Sequence, residues 1–466
     1  MVDATGQVVM FIVIGTGILQ NSLYILQLVL AISELSKRPP EGRLRLLWRR
    51  YADVSPHISL LVPAYNEEKS IVESLRSMLA LNYPKLDIVA INDGSKDGTL
   101  AAMIEGFGLE PVVRSFEEAV PHKALRALYG SPRLPNLIVI DKEMGGKSDA
   151  LNAGINLSRA PLVCTVDADS MLETDALLHA VRPFIDEPTR TVAVGGTIRL
   201  ANGCRIEGGR IQAVGLPSSL LALFQTIEYL RAFLMARLAW SRLKTLTIIS
   251  GAFGLFRRDV VVAVGGYSHG TVGEDFDLVI KIHRYMYDCG HDYTLTFVPE
   301  PVCWTEAPES WRGLGRQRSG WQRGALETFF RHRDMLFRPL YGRIGWLGFG
   351  HMLLVDVIGP PVEVVGYILI PLLWFLDFLS VEYMLAFLAL TFIFGTFISV
   401  GSLIVEEIEL RPFPRTFSLV VLTLVAVVEN FGYRQICNVW RLQGYWQYLR
   451  GQQGWGAMTR LGLRRR

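Results

Sequence analysis

The sequence predicts a mixed α/β domain with a mostly parallel sheet, flanked on both sides by transmembrane α-helices. Three observations support this fold class. Of the 466 residues, 50% are hydrophobic and 20% are charged, and the mean hydropathy is +0.28, so the chain is more apolar than a typical soluble domain. The longest apolar runs lie near the two ends of the chain. Between them, short apolar strands alternate with helical stretches, as in parallel βαβ units.

The N-terminal apolar run, Val8 to Ile32, is long enough to cross a bilayer core, which takes about 20 helical residues. A signal peptide fits poorly, because no basic region precedes the run and no small-residue cleavage site follows it. Several Lys and Arg residues follow instead. By the positive-inside rule, we expect residues 1–33 to form a transmembrane helix and 34–54 a basic juxtamembrane linker on the cytoplasmic side.

Residues 55–343 are expected to form a cytoplasmic α/β domain. The strands on which this rests are Ile58–Val62, Ile88–Ile91, Leu137–Ile140 and Leu162–Val166. The apolar-rich segment 216–240 fits either a buried helix or an amphipathic helix on the membrane surface. We expect this segment, and a second one at about 310–335, to form interfacial helices.

Membrane helices are predicted again in residues 344–433. The apolar runs are Phe349–Leu376, Tyr383–Val405 and Phe417–Phe431. The first is interrupted by Pro360-Pro361 and contains Asp356 and Glu363, and carboxylates at such depth usually face a bundle interior or a wet cavity. Residues 434–466 hold seven arginines and no acid, which predicts a basic cytoplasmic tail. Three crossings from a cytoplasmic domain would place that tail outside, so the number of crossings stays open.

Several function classes are disfavoured by composition and spacing. The five cysteines lie far apart without a CxxC pair, which argues against a disulfide scaffold and against a cysteine zinc site. A net charge of +3 makes no case for nucleic-acid binding. The Gly-Gly-Lys-Ser run at 145–148 lacks the first glycine of a P-loop, because position 141 is Asp141.

Charged side chains follow the predicted strands, at the edge where open α/β sheets bind ligands. Asp93 ends the second strand, where a capped turn is the simpler interpretation if the residue is taken alone. Lys147 opens a helix and is able to hold a phosphate there. Asp167 and Asp169 follow the fourth strand, and two carboxylates so spaced are able to hold a hard divalent cation that bridges diphosphate oxygens.

Two further motifs lie downstream. Asp275, after Glu274 at a helix start, is either a helix cap or a general base that accepts a proton from a hydroxyl nucleophile. Gln317, Arg318 and Trp321 lie in an arginine-rich stretch. Guanidiniums beside an indole suit a diphosphate and a stacked sugar ring, or else a basic helix lying under lipid headgroups.

In this order, the motifs resemble those of the membrane-integrated processive glycosyltransferases of family 2, the cellulose, chitin, hyaluronan and poly-N-acetylglucosamine synthases. The resemblance covers roughly residues 55–330. It implies a GT-A fold in which a nucleotide-sugar binds at the carboxyl edge of the sheet. Asp93 is similar to the aspartate that contacts uracil or ribose, and Lys147 to the lysine beside the diphosphate. Asp167 and Asp169 match the DxD motif that meets the nucleotide and the metal, with Asp169 as the metal ligand.

The resemblance also implies roles for the downstream residues. Asp275 corresponds to the catalytic base, and the residues on the acceptor side are Trp321, Glu274 and Gly251. Gln317 and Arg318 match the Q(Q/R)xRW motif and are assigned to the nucleotide-sugar. The arginine that precedes the tryptophan in this motif is Gly320 here, a departure that Arg316, Arg318 or Arg323 would have to compensate.

We therefore expect a multi-pass protein of the cell (inner or plasma) membrane that uses Mg²⁺ or Mn²⁺. It would transfer sugar from a UDP-sugar, with inversion, to the hydroxyl end of a growing polysaccharide and export the polymer through its own channel. Its partners would be the donor, a polysaccharide or glycolipid acceptor and membrane lipids, with no nucleic acid. The alternative within enzymes is a non-processive transferase that adds a sugar to a membrane lipid. A transporter or an inactive binding subunit is disfavoured, because neither needs the base.

Overall fold

The computed structural model describes residues 4–37, 51, 53–207, 210–410, 416–452 and 454. Most of the predicted basic linker and the end of the predicted tail lie outside these residues. The chain forms two compact units. Among the described residues, a helical unit comprises 4–37, 216–245 and 308–454, and an α/β unit comprises the rest. The segments expected to be interfacial helices, 216–240 and 310–335, therefore belong to the helical unit.

The strands found among the described residues are β1 (Ile58–Ala64), β2 (Leu86–Asp93), β3 (Glu110–Pro111), β4 (Leu125–Ser131), β5 (Leu134–Lys142), β6 (Leu162–Val166), β7 (Met171–Leu172), β8 (Thr191–Leu200), β9 (Arg205–Glu207), β10 (Arg210–Ala213), β11 (Phe253–Arg257) and β12 (Thr294–Thr305). The helices, over the same part of the chain, are α1 (Ala4–Leu35), α2 (Ile71–Leu79), α3 (Thr99–Phe107), α4 (Lys147–Leu157), α5 (Ala176–Asp186), α6 (220–242), α7 (Arg258–Ala263), α8 (Glu274–Asp288), α9 (Trp311–Arg331), α10 (Ile344–Phe375), α11 (381–410), α12 (Thr416–Val428) and α13 (Tyr433–Leu449).

The α/β unit is built on one mixed sheet with the strand order β3-β4-β5-β2-β1-β6-β11-β8-β12-β7 over the described residues. Its centre, β5-β2-β1-β6, is parallel, whereas β11 runs antiparallel to both of its neighbours. All the central strands coincide with or extend those predicted. β1 and β6 are almost continuously apolar and buried, which is typical of parallel strands covered on both faces. The predicted α/β class with a mixed sheet is confirmed.

Helix α4 packs closely on this sheet. A Cβ at Gly154 would lie 3.1 Å from a methyl of Leu61 on β1 and 3.2 Å from Ile91 on β2. The absence of a side chain at Gly154 thus brings the helix near the strands, and its first residue, Lys147, near their carboxyl ends.

In the helical unit, α6 is a largely buried helix. Its apolar residues pack in two clusters, one with α9, α11 and α12 and the other with α1 and α11. Representative members are Phe224, Leu314, Leu403 and Leu422 in the first, and Leu28, Leu234 and Ile398 in the second. The expected position of α6 at the membrane surface stays a prediction.

Three described helices are long and apolar enough to cross a membrane, Met10–Leu35, Ile344–Phe375 and Val381–Glu407. The predicted interruption at Pro360-Pro361 does not occur, and the helical path of α10 continues through it. A π-helical segment, Met352–Ile358, ends just before, and both prolines occupy the first turn of the α-helix Gly359–Phe375. Side chains satisfy carbonyl oxygens in the turn before the prolines: that of Asp356 accepts from Gln322 and Tyr445, and that of Val355 accepts from Arg441.

The last predicted run, Phe417–Phe431, is not one straight helix. α12 has 13 residues, and its axis bends by 58° into α13 at a short break. A helix of that length spans about 20 Å, less than the roughly 30 Å of a hydrocarbon core. The break contains Gly432 at φ 97°, a left-handed conformation that favours glycine. Within the described residues, α12 is shorter than a span and counts as a fourth span only if it is joined to α13.

Candidate active site

The carboxyl ends of the central strands place four of the predicted site residues in the α/β unit. Asp93 is the last residue of β2, and Asp167 and Asp169 follow β6. Lys147 is the first residue of α4, which follows β5. Because these strands are parallel, their carboxyl ends share one edge of the sheet.

The carboxylate of Asp93 accepts hydrogen bonds from neighbouring groups of the same chain. Its Oδ1 accepts hydrogen bonds from Lys142 Nζ at 2.7 Å and from the Gly145 amide at 2.9 Å, and its Oδ2 accepts one from the Gly146 amide at 2.7 Å. Lys142 is fully buried and also lies 2.5 Å from Asp149 Oδ1. This network fixes the loop that leads into α4 and Lys147. The predicted contact of Asp93 with the nucleotide stays a prediction.

The Lys147 ammonium is surrounded by oxygen acceptors. It lies 2.5 Å from Asp167 Oδ1, 3.6 Å from Glu274 Oε1 and 3.3 Å from the carbonyl oxygen of Gly251. Burial lowers the pKa of Lys147, but Asp167 and Glu274 more than offset this, so its pKa lies above the ordinary value and the side chain is charged. One lysine thereby links the DxD motif to the start of α8.

Asp275 lies in the first turn of α8, beside this lysine. Its Oδ2 accepts a hydrogen bond of 2.8 Å from the Gly251 amide, and its Oδ1 accepts one from the Phe276 amide. A Cβ at Gly251 would lie 2.8 Å from Lys147 Nζ and 3.4 Å from Asp275 Oδ2, so the missing side chain leaves room for both groups. The structure thus brings Gly251, Lys147, Asp167, Glu274 and Asp275 together.

The charges of this cluster favour an additional cation. Burial raises the pKa of Glu274 to about 7, with Asp275 acting in the same direction and Lys147 against it. In the described part of the chain, no three His, Cys, Asp or Glu side chains are grouped to hold a metal by themselves. Asp167 and Asp169 are both half-buried and flank the buried Ala168. Such a pair fits Mg²⁺ or Mn²⁺ ions that take their remaining ligands from phosphates and water.

The remaining predicted residues lie on α9 in the helical unit. Arg318 is buried, and its Nη2 lies 2.6 Å from Glu228 Oε2 while its Nη1 donates to Gln317 Oε1 at 2.9 Å. Its Cζ lies 4.2 Å from the ring centroid of Trp321. The hydroxyl of Tyr433 donates to the same Glu228 oxygen at 2.9 Å.

The arginines proposed to compensate for Gly320 also have partners within this unit. Arg323 is buried, donates to the carbonyl oxygen of Gly454 at 2.5 Å and lies 3.7 Å from Glu327. Arg316 is half-buried and its Nε donates to the carbonyl oxygen of Arg312 at 3.4 Å. Among the three, Arg318 and Arg323 serve buried contacts of the helical unit.

The acidic residues of the predicted membrane helices are paired as well. The partners are Arg441 for Asp356, Asn438 and Tyr367 for Glu363, and Arg231 and Ser399 for Glu429. Each carboxylate has a cationic or hydrogen-bonding partner from another helix, as expected of ionisable groups at membrane depth.

Sequence reasoning missed the residues that support the site. Lys142 and Asp149 hold Asp93 and the loop before Lys147, and Glu228 holds Arg318. Lys142 ends β5 and lies two residues beyond the predicted strand Leu137–Ile140. Its position next to an apolar strand was the available signal, because a lysine there is either exposed or paired. For Glu228, the sequence indicated only that an acidic residue lies in an apolar helix, and did not indicate its partner.

The fold is that of a GT-A glycosyltransferase domain joined to apolar helices. The family model described as "Glycosyltransferase like family 2" matches residues 56–324, more than half of the chain, and the chain belongs to this family.

Among curated proteins, the chain is similar to the poly-β-1,6-N-acetyl-D-glucosamine synthases of two staphylococci. It is 29% identical to that of Staphylococcus epidermidis over 296 residues, which cover 63% of this chain and 60% of the relative. The synthase of Staphylococcus aureus strain COL is 29% identical over 275 residues, which cover 59% of this chain and 56% of the relative. The matched region thus spans less than two thirds of these relatives.

A solved structure shares the fold over nearly the whole chain. It is the mannosyltransferase PcManGT of Pyrobaculum calidifontis, in complex with GDP-Man and Mn²⁺. The match has a TM-score of 0.56 and 17% identity, and covers 96% of this chain and 99% of that one.

Proposed function

We propose that the protein is a membrane-bound inverting glycosyltransferase that transfers a sugar from a UDP-sugar to the hydroxyl end of a growing polysaccharide. The names of its relatives make UDP-N-acetylglucosamine the first donor to test. The observation that carries the proposal is the position of Lys147, which contacts both Asp167 of the DxD motif and the Gly251 carbonyl beside Asp275. Lys147 therefore lies beside both the group expected to bind the donor, Asp167, and the group expected to accept the proton, Asp275.

In this reaction Asp275 accepts the proton of the acceptor hydroxyl. The hydroxyl oxygen bonds to the anomeric carbon from the face opposite the leaving group, the bond to the diphosphate oxygen breaks, and UDP leaves with its electron pair. The Gly251 amide orients Asp275 by its hydrogen bond to Oδ2. Lys147 lies where it would neutralise charge on the leaving diphosphate.

The DxD residues would hold the divalent ion, with Asp169 as ligand. When bound, Mg²⁺ or Mn²⁺ supplies neutralisation of the donor diphosphate. A surplus of carboxylates around Lys147 supports this assignment, because a dianionic diphosphate alone would be repelled from them.

The test is UDP release by the full-length protein in lipid nanodiscs with UDP-N-acetylglucosamine and Mg²⁺ or Mn²⁺. Replacement of Asp275 by Asn should lower the rate about 10²–10⁴-fold, the usual loss for a general base. The matched control is Asp288→Asn at the other end of α8, where the carboxylate forms an exposed pair with Arg284. Wild-type UDP release by a folded D275N protein would refute the assignment of the base.

Three crossings would resolve the question of topology. With α1, α10 and α11 as the spans and α12 not crossing, an external N-terminus gives a cytoplasmic α/β unit and a cytoplasmic C-terminal segment. This agrees with the arginines at 434, 441, 450 and beyond. Cysteine labelling from either side of sealed vesicles, at positions 4 and 452, tests this arrangement. Labels on opposite sides are expected, and labels on the same side would contradict the cytoplasmic tail.

Export of the polymer through the helical unit is part of the proposal. A cavity lined by Gln20, Asn21, Glu363 and Arg434, among others, has a volume of about 60 Å³. That is room for about two water molecules, so a sugar chain would need the helices to separate there. Inverted vesicles supplied with donor should accumulate polymer in their lumen. A product confined to the outer medium would contradict export.

The alternative acceptor is a membrane lipid, with the same donor site and base. Gly320 leaves this alternative open, since the arginine of the processive family's motif is missing, whereas Trp321 and its arginine-rich neighbours favour a polymer. Product mass separates the two. A ladder of polymer lengths supports processive synthesis, whereas a single sugar on a lipid supports the alternative.

A further inference from the structure

Trp321 presents an exposed indole whose ring lies against a buried cation. The side chain is 42% exposed, whereas Arg318, three residues earlier on α9, is 4% exposed. Their separation of 4.2 Å between Arg318 Cζ and the ring centroid is a cation–π contact. The ring of Tyr229 also lies beside the indole, with 6.5 Å between the ring centroids. The exposed part of the Trp321 ring is available for stacking.

Arg318 is in turn fixed from two other helices. Glu228 Oε2 on α6 accepts a hydrogen bond of 2.6 Å from Arg318 Nη2. The hydroxyl of Tyr433, at the start of α13, donates to the same oxygen at 2.9 Å. Burial raises the pKa of Glu228, but Arg318 and Arg231 lower it further, so the pKa lies below the ordinary value and the carboxylate is ionised. The guanidinium is therefore held by a charged partner and has little freedom to turn.

We propose that Glu228 is a positioning residue for the acceptor, which acts through Arg318 to fix the ring plane of Trp321. The inference rests on the proposed function, in which the indole stacks on the acceptor sugar. Stacking requires a defined ring orientation, and a ring held before binding loses less conformational freedom on binding. Arg318 thereby serves the acceptor side rather than the donor diphosphate.

Single substitution of Glu228 is a poor test, because it leaves a buried guanidinium unpaired and destabilises the fold. Two double variants avoid this problem. E228Q/R318Q removes both charges, and E228R/R318E restores an ion pair with the carboxylate now on α9 beside the ring. A structural ion pair predicts rescue by the exchange, whereas positioning of the indole by a cation predicts none.

The measurement is steady-state kinetics of each full-length variant in nanodiscs, with UDP-N-acetylglucosamine and short β-1,6-linked N-acetylglucosamine oligomers as acceptor. Both double variants should raise the acceptor KM about 10-fold, the value of one well-oriented cation–π or stacking contact. The acceptor KM should rise more than the donor KM in both variants. E34Q/R242Q, which neutralises an ion pair between α1 and α6 outside the site, is the matched control and should keep the wild-type acceptor KM.

Three results would overturn the inference. The first is a wild-type acceptor KM in the exchanged pair, which would make the contact purely structural. The second is an equal rise of donor KM, which would return Arg318 to the diphosphate. The third is an unchanged acceptor KM in W321A, which removes the role of the indole. Failure of the proposed function itself looks different, because UDP release would then be absent in the wild-type protein and in every variant.

Discussion

Lys142 Nζ lies 2.7 Å from Asp93 Oδ1, and neither side chain is more than 5% exposed. The same ammonium contacts Asp149, so one buried lysine neutralises carboxylates from β2 and α4. The two carboxylate oxygens of Asp93 also accept hydrogen bonds from the backbone amides of Gly145 and Gly146. Asp93, at the end of β2, is therefore part of the network that supports the loop before Lys147.

Replacement of Asp93 by Asn should therefore destabilise the α/β unit. The change leaves Lys142 with a single carboxylate and replaces one of the two oxygens that accept the Gly145 and Gly146 amides by an NH₂ donor. Breaking a buried pair costs about 3–5 kcal/mol. The measurement is thermal unfolding of the purified protein. Asp87→Asn, at the start of β2 beside His57, is a matched control with a half-exposed carboxylate and should change stability little. Unchanged stability of D93N together with a raised donor KM would instead support direct contact with the nucleotide.

Replacement of Gly94 by Ala should destabilise the fold through two effects. Its φ of +64° is strained for alanine, and the new Cβ would lie 2.8 Å from the backbone nitrogen of Met144, which is not free to move. Gly108 has a similar φ of +58° but nothing within 4 Å, so Gly108→Ala measures the strain alone. We expect about 1 kcal/mol for the control and a clearly larger loss for G94A in denaturant unfolding. Equal losses would show that the turn at Met144 relaxes.

Replacement of Gly251 by Ala should reduce activity while leaving the fold stable. The new methyl would displace the flexible end of Lys147, which lies 2.8 Å away, from Asp167 and Glu274. Gly130→Ala on β4, where the nearest atom of Val112 is 3.4 Å away, is the control. We expect UDP release to fall about 10²-fold in G251A, as after a 1 Å misplacement of a positioning group. Equal activities of the two variants would show that the space left by the missing side chain at Gly251 is not needed for activity.

Glu274 should make the stability of the free protein depend on pH. Its folded-state pKa of about 7 lies above the ordinary value of 4.5, so between these values the folded protein holds a proton that the unfolded chain has lost. Stability conferred by this group is then present below about pH 4.5 and is lost as the pH rises through about 7, by up to about 3 kcal/mol. Melting temperatures of wild-type protein and E274Q, without metal or donor, should diverge across this window. Parallel curves would refute the raised pKa.

The sheet and the residues at its edge were predictable from the sequence because they depend on local order. Asp167, Asp169 and Lys147 adjoin apolar strands, and parallel strands bring their carboxyl ends together whatever the rest of the chain does. The apolar ends likewise predicted the candidate spans to within a few residues. The pairing of Lys142 with Asp93, 49 residues apart, is set by the register of β2 and β5, which no linear pattern states.

The helical unit was harder to predict for a physical reason. Which residue pairs with Arg318 depends on how α6 and α9 pack, and Glu228 lies 90 residues away in the chain. The helix continues through Pro360, and side chains of α9 and α13, distant in the chain, donate to the carbonyl oxygens before it. The only sequence signals for the end of α12 were two polar residues, Glu429 and Asn430, near the end of the apolar run, and Gly432 just after it.

Two glycines decide how closely α13 lies against α9. A Cβ at Gly444 would approach the Ser319 carbonyl oxygen to 2.6 Å, and one at Gly315 would approach Trp440 Nε1 to 2.7 Å. The last described helix, α13, thus packs closely along α9, the helix that carries Trp321, and supports it. Shortened versions of the chain made for crystallisation should therefore keep all of α13 and the stretch to Gly454, whose carbonyl oxygen accepts from Arg323. Fusion partners at the C-terminus need a spacer beyond that residue.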